Sequence, residues 1–434
     1  MDMKKVSYLL GFLTIITFSV DFIIGDRAQS WNTIPKENLV DESYTVFVKD
    51  KLSSRLLIRA YARSKGIDVS ESQIFVEGAY GFVADLNEQQ IDALKGWFYW
   101  LRAFTDVRQI RPNFRIQSTR ARMQSDPIPQ STRARMQSDY DVSYQTSNGV
   151  IFVGGPEIPP NLNRKVWVID TGIDSSHPDL AAQVVLGGQF AKSFVQSEPN
   201  PYEDGNGHGT FSAGLIGAKS TDPTDEFVRM NGVAPGAKLV SVKVLNNEGE
   251  GSWGTVLLGL SHALINSSPG DIISLSLGGD FPEACDFFNR SWFKNFRLSV
   301  KNKGVLVVMS AGNLGEDMPG PGQSSTINFP GCLTGENFIA VGSISVSGEL
   351  NSVVEFSNFS YMAMPAIDYV APGKGIFSTT KDQVYEIRSG TSASAAIVSG
   401  IIYARGGLPL SNETIRGIGT DETDYPVAKV KLQE

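Results

Sequence analysis

Residues 165–180 read KVWVIDTGIDSSHPDL. The run from Lys165 to Ile169 is mostly apolar and rich in β-branched residues, and Asp170 follows it directly. A short, continuous apolar run is typical of a strand that is buried on both faces, as the strands of a parallel sheet are. In open parallel sheets the functional side chains lie beyond the carboxyl ends of the strands. The stretch therefore predicts a parallel strand with Asp170 at the functional edge of its sheet.

The same pattern repeats through the rest of the chain. Apolar runs occur at 165–169, 239–245, 271–277, 304–309 and 338–343, and helical spacing occurs at 253–265 and 391–403. Strands that alternate with helices in this way predict an α/β fold, in which a parallel sheet carries helices on both faces. We assign residues 151–434 to this domain.

Two further segments carry the groups that nucleophilic acyl transfer requires. They read NGHGT at 206–210 and SGTSASA at 389–395. A serine hydroxyl becomes an effective nucleophile beside a base, and a carboxylate holds that base in the correct orientation. Ser392 is predicted near the start of a helix, where backbone N–H groups favour developing negative charge. A fourth segment ends in Asn313, whose amide could donate a hydrogen bond to an oxyanion.

On these four segments, the region 165–407 resembles the subtilisin-family serine proteases, subtilases of the peptidase S8 type. The segments occur in that family's chain order of Asp, His and Ser. The resemblance implies that Asp170 orients His208, that His208 is general base and then general acid, and that Ser392 is the nucleophile. Asn313 and the N–H of Ser392 would form the oxyanion hole. It thus implies a serine endopeptidase that hydrolyses peptide bonds of proteins and peptides through an acyl-enzyme, without a cofactor for the chemistry.

The resemblance also assigns a substrate-binding cleft, in which strand edges pair with an extended substrate backbone. The positions implied are Gly249, Gly251, Trp253, Ser276, Leu277, Gly278, Ala311, Gly312 and Asn328. Asn328 stands where the family often has glycine at the floor of the first pocket, which predicts a shallower pocket and less preference for large aromatic residues. Ala393 stands where the family usually has methionine, which predicts activity that resists peroxide.

One position suggests a metal ion. Asp179 matches a calcium-ligand position of the family, and Asp222, Asp225 and Glu226 lie close together in a later loop. Carboxylate oxygens suit this hard cation. A charged, solvent-exposed loop explains the same residues, so a structural calcium ion and an ion-free loop both stay open.

The amino terminus has the pattern of a secretory signal. Lys4 and Lys5 precede an apolar run from Val6 to Val20, and the small residues Ala28 and Ser30 follow. We therefore predict a signal peptide at 1–30 and a secreted protein. An uncleaved anchor helix is the alternative, and Asp21 argues against it. No later segment is long and apolar enough to span a bilayer, so no membrane contact is expected after signal removal.

Residues 43–112 predict the order strand, helix, strand, strand, helix, strand. This order is typical of a small α+β ferredoxin-like unit. The resemblance implies that the unit is a prosegment of the inhibitor-I9 type, which assists folding and inhibits the chain's own active site. The protein would then be made as an autoinhibited zymogen.

Residues 113–150 are predicted as an exposed linker. The sequence QSTRARMQSD occurs at 117–126 and again, letter for letter, at 130–139. Such a polar stretch lacks the apolar periodicity of a packed core. Either the duplication is tolerated in a loop, or its Thr-Arg-Ala-Arg sequence is presented twice to a trypsin-like or convertase-like enzyme.

Composition limits the alternatives. The chain has 434 residues, of which 41% are hydrophobic and 19% charged, with a net charge of -8. Such a balance argues against nucleic-acid binding, which requires basic surface. Cys285 and Cys332 form one disulfide or remain two thiols, and no Cys/His spacing indicates zinc. Two rival functions stay open. One is a processing protease, which acidic residues lining the substrate-binding cleft would indicate, and Glu250 alone is weak evidence for it. The other is a catalytically silent binding protein.

Overall fold

The computed structural model describes residues 39–49, 52–77, 79–95, 107–118, 146–160, 163–187, 189–220, 230–280, 294–313, 317–318, 328–333, 335–346, 352–353, 359–360, 367–417 and 424–432. Contacts divide the chain into two units, Met1–Leu39 and Val40–Glu434. Apart from Leu39, everything described belongs to the second unit. The predicted signal peptide lies outside the described residues.

The first part of the described chain contains four strands and two α-helices. They are β1 (Leu39–Val48), α1 (Arg55–Ser64), β2 (Ile74–Phe75), β3 (Gly81–Asp85), α2 (Glu88–Lys95) and β4 (Val107–Ser118). Strand β3 pairs antiparallel with both β1 and β2. A small core forms where apolar residues of the strands meet the inner face of α1, with Val46, Phe82 and Ile58 completely buried.

The strand that closes this part is longer than the sequence indicates. The apolar pattern predicts a strand that ends near residue 110, whereas β4 continues to Ser118. Asn113 and Ile116 are completely buried, although they fall in the segment predicted as linker. The pattern misses this extension because the residues pair with strands that lie far away in sequence.

The remaining chain supplies seventeen strands and five helices among the residues that the structure describes. In chain order they are α3 (Asn148–Phe152), β5 (Val166–Asp170), β6 (Lys192–Ser193), α4 (His208–Gly217), β7 (Leu239–Lys243), β8 (Glu250–Ser252), α5 (Trp253–Asn266), β9 (Ile272–Leu275), β10 (Leu277–Asp280), α6 (Lys294–Lys303), β11 (Leu306–Ser310), β12 (Asp317–Met318), β13 (Asn328–Phe329), β14 (Phe338–Ser345), β15 (Ser352–Val353), β16 (Phe359–Ser360), β17 (Tyr369–Pro372), β18 (Ile376–Thr379), β19 (Tyr385–Arg388), α7 (Thr391–Arg405), β20 (Thr414–Arg416) and β21 (Asp424–Pro426).

The main sheet has the order β15-β14-β11-β9-β5-β7-β6, with β17 also paired to β14. All its pairs are parallel except that of β14 with β15. The parallel sheet predicted from the apolar runs is confirmed, and each of the five predicted strands lies within it.

Helices cover both faces of this sheet. Val166 and Val168 of β5 join the large core that α4 and α7 cover. Ile169 points to the opposite face, because successive strand residues alternate. There it meets α5, and a β-carbon on Gly259 would lie 3.4 Å from Ile169 Cγ2. The sheet is therefore the middle layer of three, as predicted.

A second sheet runs from the amino-terminal part into the larger domain. Its order is β13-β10-β4-β1-β3-β2, and β8 also pairs with β4. The end of β4 lies between β8 and β10 and is antiparallel to both. No helix among the described residues is long and apolar enough to cross a bilayer.

Candidate active site

Asp170 ends β5, in the position that the sequence predicts. Its side chain is almost completely buried, with 1% exposure. The carboxylate oxygens lie 2.8 and 2.9 Å from His208 Nδ1, and Thr171 N donates to Oδ1 at 2.8 Å. Because a carboxylate only accepts hydrogen bonds, the pairing requires a hydrogen on Nδ1 and leaves the lone pair of the neutral ring on Nε2.

His208 is the first residue of α4, and glycines on both sides allow its position. Gly207 has φ 89°, and a β-carbon there would collide with Thr380 Oγ1. A β-carbon on Gly209 would collide with the carbonyl oxygen of Gly172. Nε2 of His208 is buried and makes no hydrogen bond to any residue that the structure describes.

Ser392 lies in the first turn of α7, which packs against α4. Gly390 precedes this turn with φ 153°, a backbone conformation that L side chains rarely adopt. The serine is 5% exposed, and its carbonyl oxygen accepts a hydrogen bond from Ser276 Oγ at 3.0 Å. Ser276 immediately precedes β10, so this bond links the start of α7 to the strand that holds β4.

Asn313 is held beside this turn by its own amide oxygen. Oδ1 accepts hydrogen bonds from Thr391 N at 2.8 Å and from Thr391 Oγ1 at 3.0 Å. Gly312 N donates to the same threonine hydroxyl at 3.1 Å. Because Oδ1 is engaged one residue from Ser392, the amide orientation is fixed, and its NH₂ group is the donor end of the side chain.

Asp204 is a site residue that the sequence reasoning missed. Its buried carboxylate accepts hydrogen bonds from Gly207 N at 2.8 Å, from Thr210 N at 2.9 Å and from Thr171 Oγ1 at 2.8 Å. A carboxylate at a helix amino terminus is stabilised by the free N–H groups there. Asp204 therefore fixes the helix start that carries His208. An Asp four residues before that histidine, in the glycine-rich segment DGNGHGT, was the available signal.

A buried ion pair supports the residue after Asp170. Lys243, at the end of β7, is 1% exposed and donates a hydrogen bond to the carbonyl oxygen of Thr171. Its ammonium group lies 2.8 Å from the Glu198 carboxylate. This pairing offsets the cost of burying the lysine charge.

Three of the predicted cleft residues pair directly with the end of β4. Leu277 pairs with Ser118 and Gly278 pairs with Gln117 on one side. Gly251 pairs with Ile116 on the other side, and Gly249 has φ 80° in the turn before β8. Ala311 and Gly312 follow β11, next to Asn313. An extended chain therefore lies between the two strand edges assigned to substrate.

Asn328 and Trp253 lie on β13 and at the start of α5. Asn328 is 3% exposed, and its Nδ2 donates to the carbonyl oxygen of Ser310 at 3.0 Å. Its amide occupies the space where a β-carbon on Gly278 would stand. The Trp253 ring makes an edge contact with Phe329 at a centroid distance of 4.5 Å.

Asp179, the predicted calcium ligand, makes hydrogen bonds to described residues. The carboxylate is completely buried, and Oδ2 accepts hydrogen bonds from Met230 N at 2.8 Å and from the Tyr385 hydroxyl at 2.6 Å. No group of three metal-binding side chains occurs in the part of the chain that the structure describes. Asp222, Asp225 and Glu226 lie outside it, so calcium stays a prediction.

Cys332 is disulfide-bonded. The sequence contains one other cysteine, Cys285, which lies outside the described residues. Cys332 follows β13 closely, and its N–H donates to the carbonyl oxygen of Asn328 at 3.2 Å. The disulfide therefore restrains the segment that carries Asn328.

Comparisons with known proteins agree with this architecture. Residues 163–409 match the family model described as the Subtilase family, Peptidase_S8. The Major intracellular serine protease of Bacillus subtilis (strain 168) is 42% identical over 243 residues, which are 55% of this chain and 67% of that protein. Thermitase of Thermoactinomyces vulgaris is 34% identical over 247 residues, 56% of this chain and 75% of that one.

Two further matches are more distant or cover less of the relative. Subtilisin E of Bacillus subtilis (strain 168) is 37% identical over 238 residues, 55% of this chain and 54% of that protein, so the match spans about half of its length. The solved structure of Sphericase superposes with a TM-score of 0.52 at 27% identity and covers 67% of this chain and 99% of that one.

The parallel sheet, with a buried aspartate–histidine pair at its edge, and these relatives define a serine-type endopeptidase, a hydrolase of peptide bonds. Because the family model matches more than half of the chain, the chain belongs to the subtilase family.

Proposed function

We propose that this subtilase is a secreted endopeptidase, made as an autoinhibited zymogen, that cleaves proteins and peptides with Ser392, His208 and Asp170. The observation that carries the proposal is the buried His208–Asp170 pair, with Nδ1 2.8 Å from the carboxylate. That pair leaves Nε2 as the ring atom able to take a proton, and the start of α7 carries the hydroxyl that can supply one.

Each step of peptide hydrolysis has a residue suited to it. Ser392 Oγ attacks the carbonyl carbon, and His208 Nε2 takes the hydroxyl proton. The Asn313 NH₂ group and the Ser392 N–H donate to the oxyanion of the tetrahedral intermediate. His208 then gives its proton to the leaving amine, and water hydrolyses the acyl-enzyme by the reverse sequence. Asp170 holds the ring and stabilises its positive charge.

The amino-terminal part acts in this proposal as the inhibitor. The end of β4 fills the cleft between β8 and β10, and Ile116 is completely buried there. The amino-terminal part also contacts α5. There, Ser261 Oγ accepts hydrogen bonds from Val76 N at 3.3 Å and from Glu77 N at 3.2 Å. Gly254 lies about two turns before Ser261 on the same helix. Its lack of a side chain leaves room for Asn113, whose Nδ2 would lie 2.8 Å from an added β-carbon. A substrate cannot enter while this strand is in place.

The decisive experiment is labelling with a fluorophosphonate, which reacts with activated serines. We expect the processed protein to be labelled and to hydrolyse peptide substrates, and Ser392→Ala to lose both properties. Ser389→Ala, a substitution of a neighbouring serine in the same segment, is the matched control and should keep both. A labelled Ser392→Ala variant would refute the assignment, and an unlabelled parent protein would favour a silent binding protein.

Secretion rests on the amino-terminal pattern of Lys4, Lys5 and the apolar run to Val20. Two relatives carry "intracellular" in their names, so the compartment needs its own test. We expect the protein in the culture medium without residues 1–30. Retention of the full-length chain inside the cell would contradict the signal-peptide assignment.

The position of Asn328 supports a shallow first pocket. Its amide occupies the space beside Gly278 and is anchored to the Ser310 carbonyl. We expect the enzyme to prefer Leu, Met or Ala over Phe or Tyr at the residue whose carbonyl is attacked, and Asn328→Gly to raise the relative rate on Phe. A parent enzyme with a strong preference for Phe and Tyr in an ester panel would reject this view.

A further inference from the structure

Glu250 is the first residue of β8, at the edge of the cleft that β4 fills. Its side chain is exposed to solvent. The carboxylate forms no ion pair or hydrogen bond with any residue that the structure describes. None of the proposed steps of peptide hydrolysis uses this group. The edge of the cleft therefore carries a negative charge that is free to interact with a bound chain.

The register of β4 places one residue directly opposite Glu250. Gln117 pairs with Glu250, and Ile116 pairs with Gly251. Successive residues of a strand point to opposite faces of the sheet. Ile116 is completely buried, whereas Gln117 and Glu250 are both exposed. The side chains of Gln117 and Glu250 are therefore cross-strand neighbours on the solvent face.

The backbone hydrogen bonds of Glu250 show that this pair is of the closely spaced kind. Its N–H donates to Asn246 Oδ1 at 2.8 Å, and its carbonyl oxygen accepts a hydrogen bond from Asn246 N at 2.8 Å. Both backbone groups of Glu250 are thus bonded away from β4. In an antiparallel ladder such a residue belongs to a non-hydrogen-bonded pair, whose α-carbons lie about 4.5 Å apart and whose side chains approach closely.

On the other side of the cleft, β10 presents a glycine to the same position. Gly278 pairs with Gln117. A β-carbon on Gly278 would collide with Asn328 Oδ1, so the neighbouring space is filled by an uncharged amide. Of the two residues that pair with Gln117, Glu250 is thus the one that carries a charge. A chain bound in place of β4 meets this carboxylate with the residue at the Gln117 position.

We propose that Glu250 makes the cleft select a lysine or arginine in the substrate residue that takes the place of Gln117. This inference rests on the proposed function, because it requires that substrates replace β4 between β8 and β10. A basic side chain directly across from Glu250 forms an ion pair with it, and an acidic side chain is repelled. The glutamine of the chain's own β4 is neutral, so it gains from neither effect.

The exposure of Glu250 limits the size of this selection. Solvent-exposed ion pairs across two strands change binding or rate by about 1.5- to fivefold. We therefore expect kcat/KM to be about threefold higher with lysine than with glutamine at this position, and about threefold lower with glutamate. One exposed carboxylate thus gives a graded preference among substrates, whereas a processing protease requires its basic residue strictly.

The test compares three internally quenched peptides that contain Ile-X-Ser-Leu, where X is Lys, Gln or Glu. The isoleucine takes the place of Ile116 and sets the register, and mass spectrometry confirms that the same bond is cut in all three. With the processed enzyme at low salt, we expect the Lys peptide to exceed the Glu peptide in kcat/KM by about tenfold. In about 1 M sodium chloride, which screens exposed charges, the ratio should fall below about threefold.

Substitutions at Glu250 separate a direct contact from the general field of an acidic protein. Glu250→Gln should reduce the Lys to Glu ratio to less than about twofold, and Glu250→Lys should reverse the preference. Glu248→Gln is the matched control, because Glu248 is also exposed but lies in the turn before β8, and it should keep most of the ratio. A parent ratio below about twofold, an unchanged ratio in Glu250→Gln, or equal losses in both Gln variants would overturn the inference.

Failure of the inference differs from failure of the proposed function. An enzyme that reacts with a fluorophosphonate and cuts the three peptides at equal rates refutes selection by Glu250 alone. A protein that is not labelled and cuts none of the peptides refutes the peptidase assignment on which the inference rests.

Discussion

The burial of Ile116 allows a quantitative test of the proposed inhibitory role of the amino-terminal part. The side chain is completely buried beside Gly251, but it does not belong to the small core of the amino-terminal part. Ile116→Ala should therefore weaken binding to the protease without changing the folding of the inhibitor itself. The substitution removes three buried carbon atoms at about 0.8 kcal/mol each, or about 2.4 kcal/mol in total. That loss corresponds to about 60-fold in the inhibition constant.

The assay adds residues 40–119 to the processed enzyme and measures the inhibition constant with a fluorogenic peptide. Gln117→Ala is the matched control, because Gln117 is adjacent, exposed and held through its backbone. We expect it to change the constant by less than about threefold, as surface substitutions usually do. Equal effects of Ile116→Ala and Gln117→Ala, or no effect of either, would refute the idea that this one side chain anchors the strand in the cleft.

Four further outcomes are expected. Asn313→Ala should lower kcat by about 10²–10³ with little change in KM, since it removes an oxyanion donor; a pure KM effect would contradict this role. Asp204→Asn should lower both Tm and kcat, because at least three hydrogen bonds at the start of α4 lose a charged acceptor; unchanged Tm would be inconsistent with its helix-capping role. The parent should keep its activity in dilute peroxide, whereas Ala393→Met should become sensitive; rapid inactivation of the parent refutes this. Burial raises the pKa of Asp368 to about 6. Ionisation of this carboxyl therefore lowers the free energy of unfolding as pH rises from about 4 to 6, and Asp368→Asn should remove that decrease. The residue as a whole is nevertheless exposed to solvent, which screens the effect, so we expect at most about 1 kcal/mol, measured by urea unfolding at pH 4 and 7.

The sequence predicts the main sheet well because its strands are buried on both faces. Runs such as Val166–Asp170 and Leu306–Ser310 are almost entirely apolar, and burial on both faces requires this composition. Helix α7 is likewise predicted nearly in full. The boundaries differ by at most two residues, because strand ends depend on pairing partners and not on the apolar run alone.

The cleft is harder to predict from a linear pattern. Strand β4 continues through Arg115, Ile116 and Gln117 because β8 and β10 offer free edges on both sides. Its polar sequence has no strand signal of its own. The position of Asp204 is also set by spatial neighbours, since Thr171 lies 33 residues earlier in the chain.

The sequence predicts a site at Asp170, His208 and Ser392 for a different reason. Acyl transfer needs an acid, a base and a hydroxyl, and glycines must allow their close approach. The sequence shows those residue types, but only the fold shows that Asp170 and His208 meet at 2.8 Å.

The arrangement of β8 and β10 has a consequence for the choice of substrate. Both strands pair with β4, so they stand two strand spacings apart, or about 9.5 Å. If β4 leaves, as the proposed function requires, the gap would admit one extended chain and exclude a strand that is still paired in its own sheet. A stable folded domain should therefore be cut at a rate set by how often it opens locally. Selectivity among substrate proteins would then depend on how readily they unfold locally as much as on their sequence.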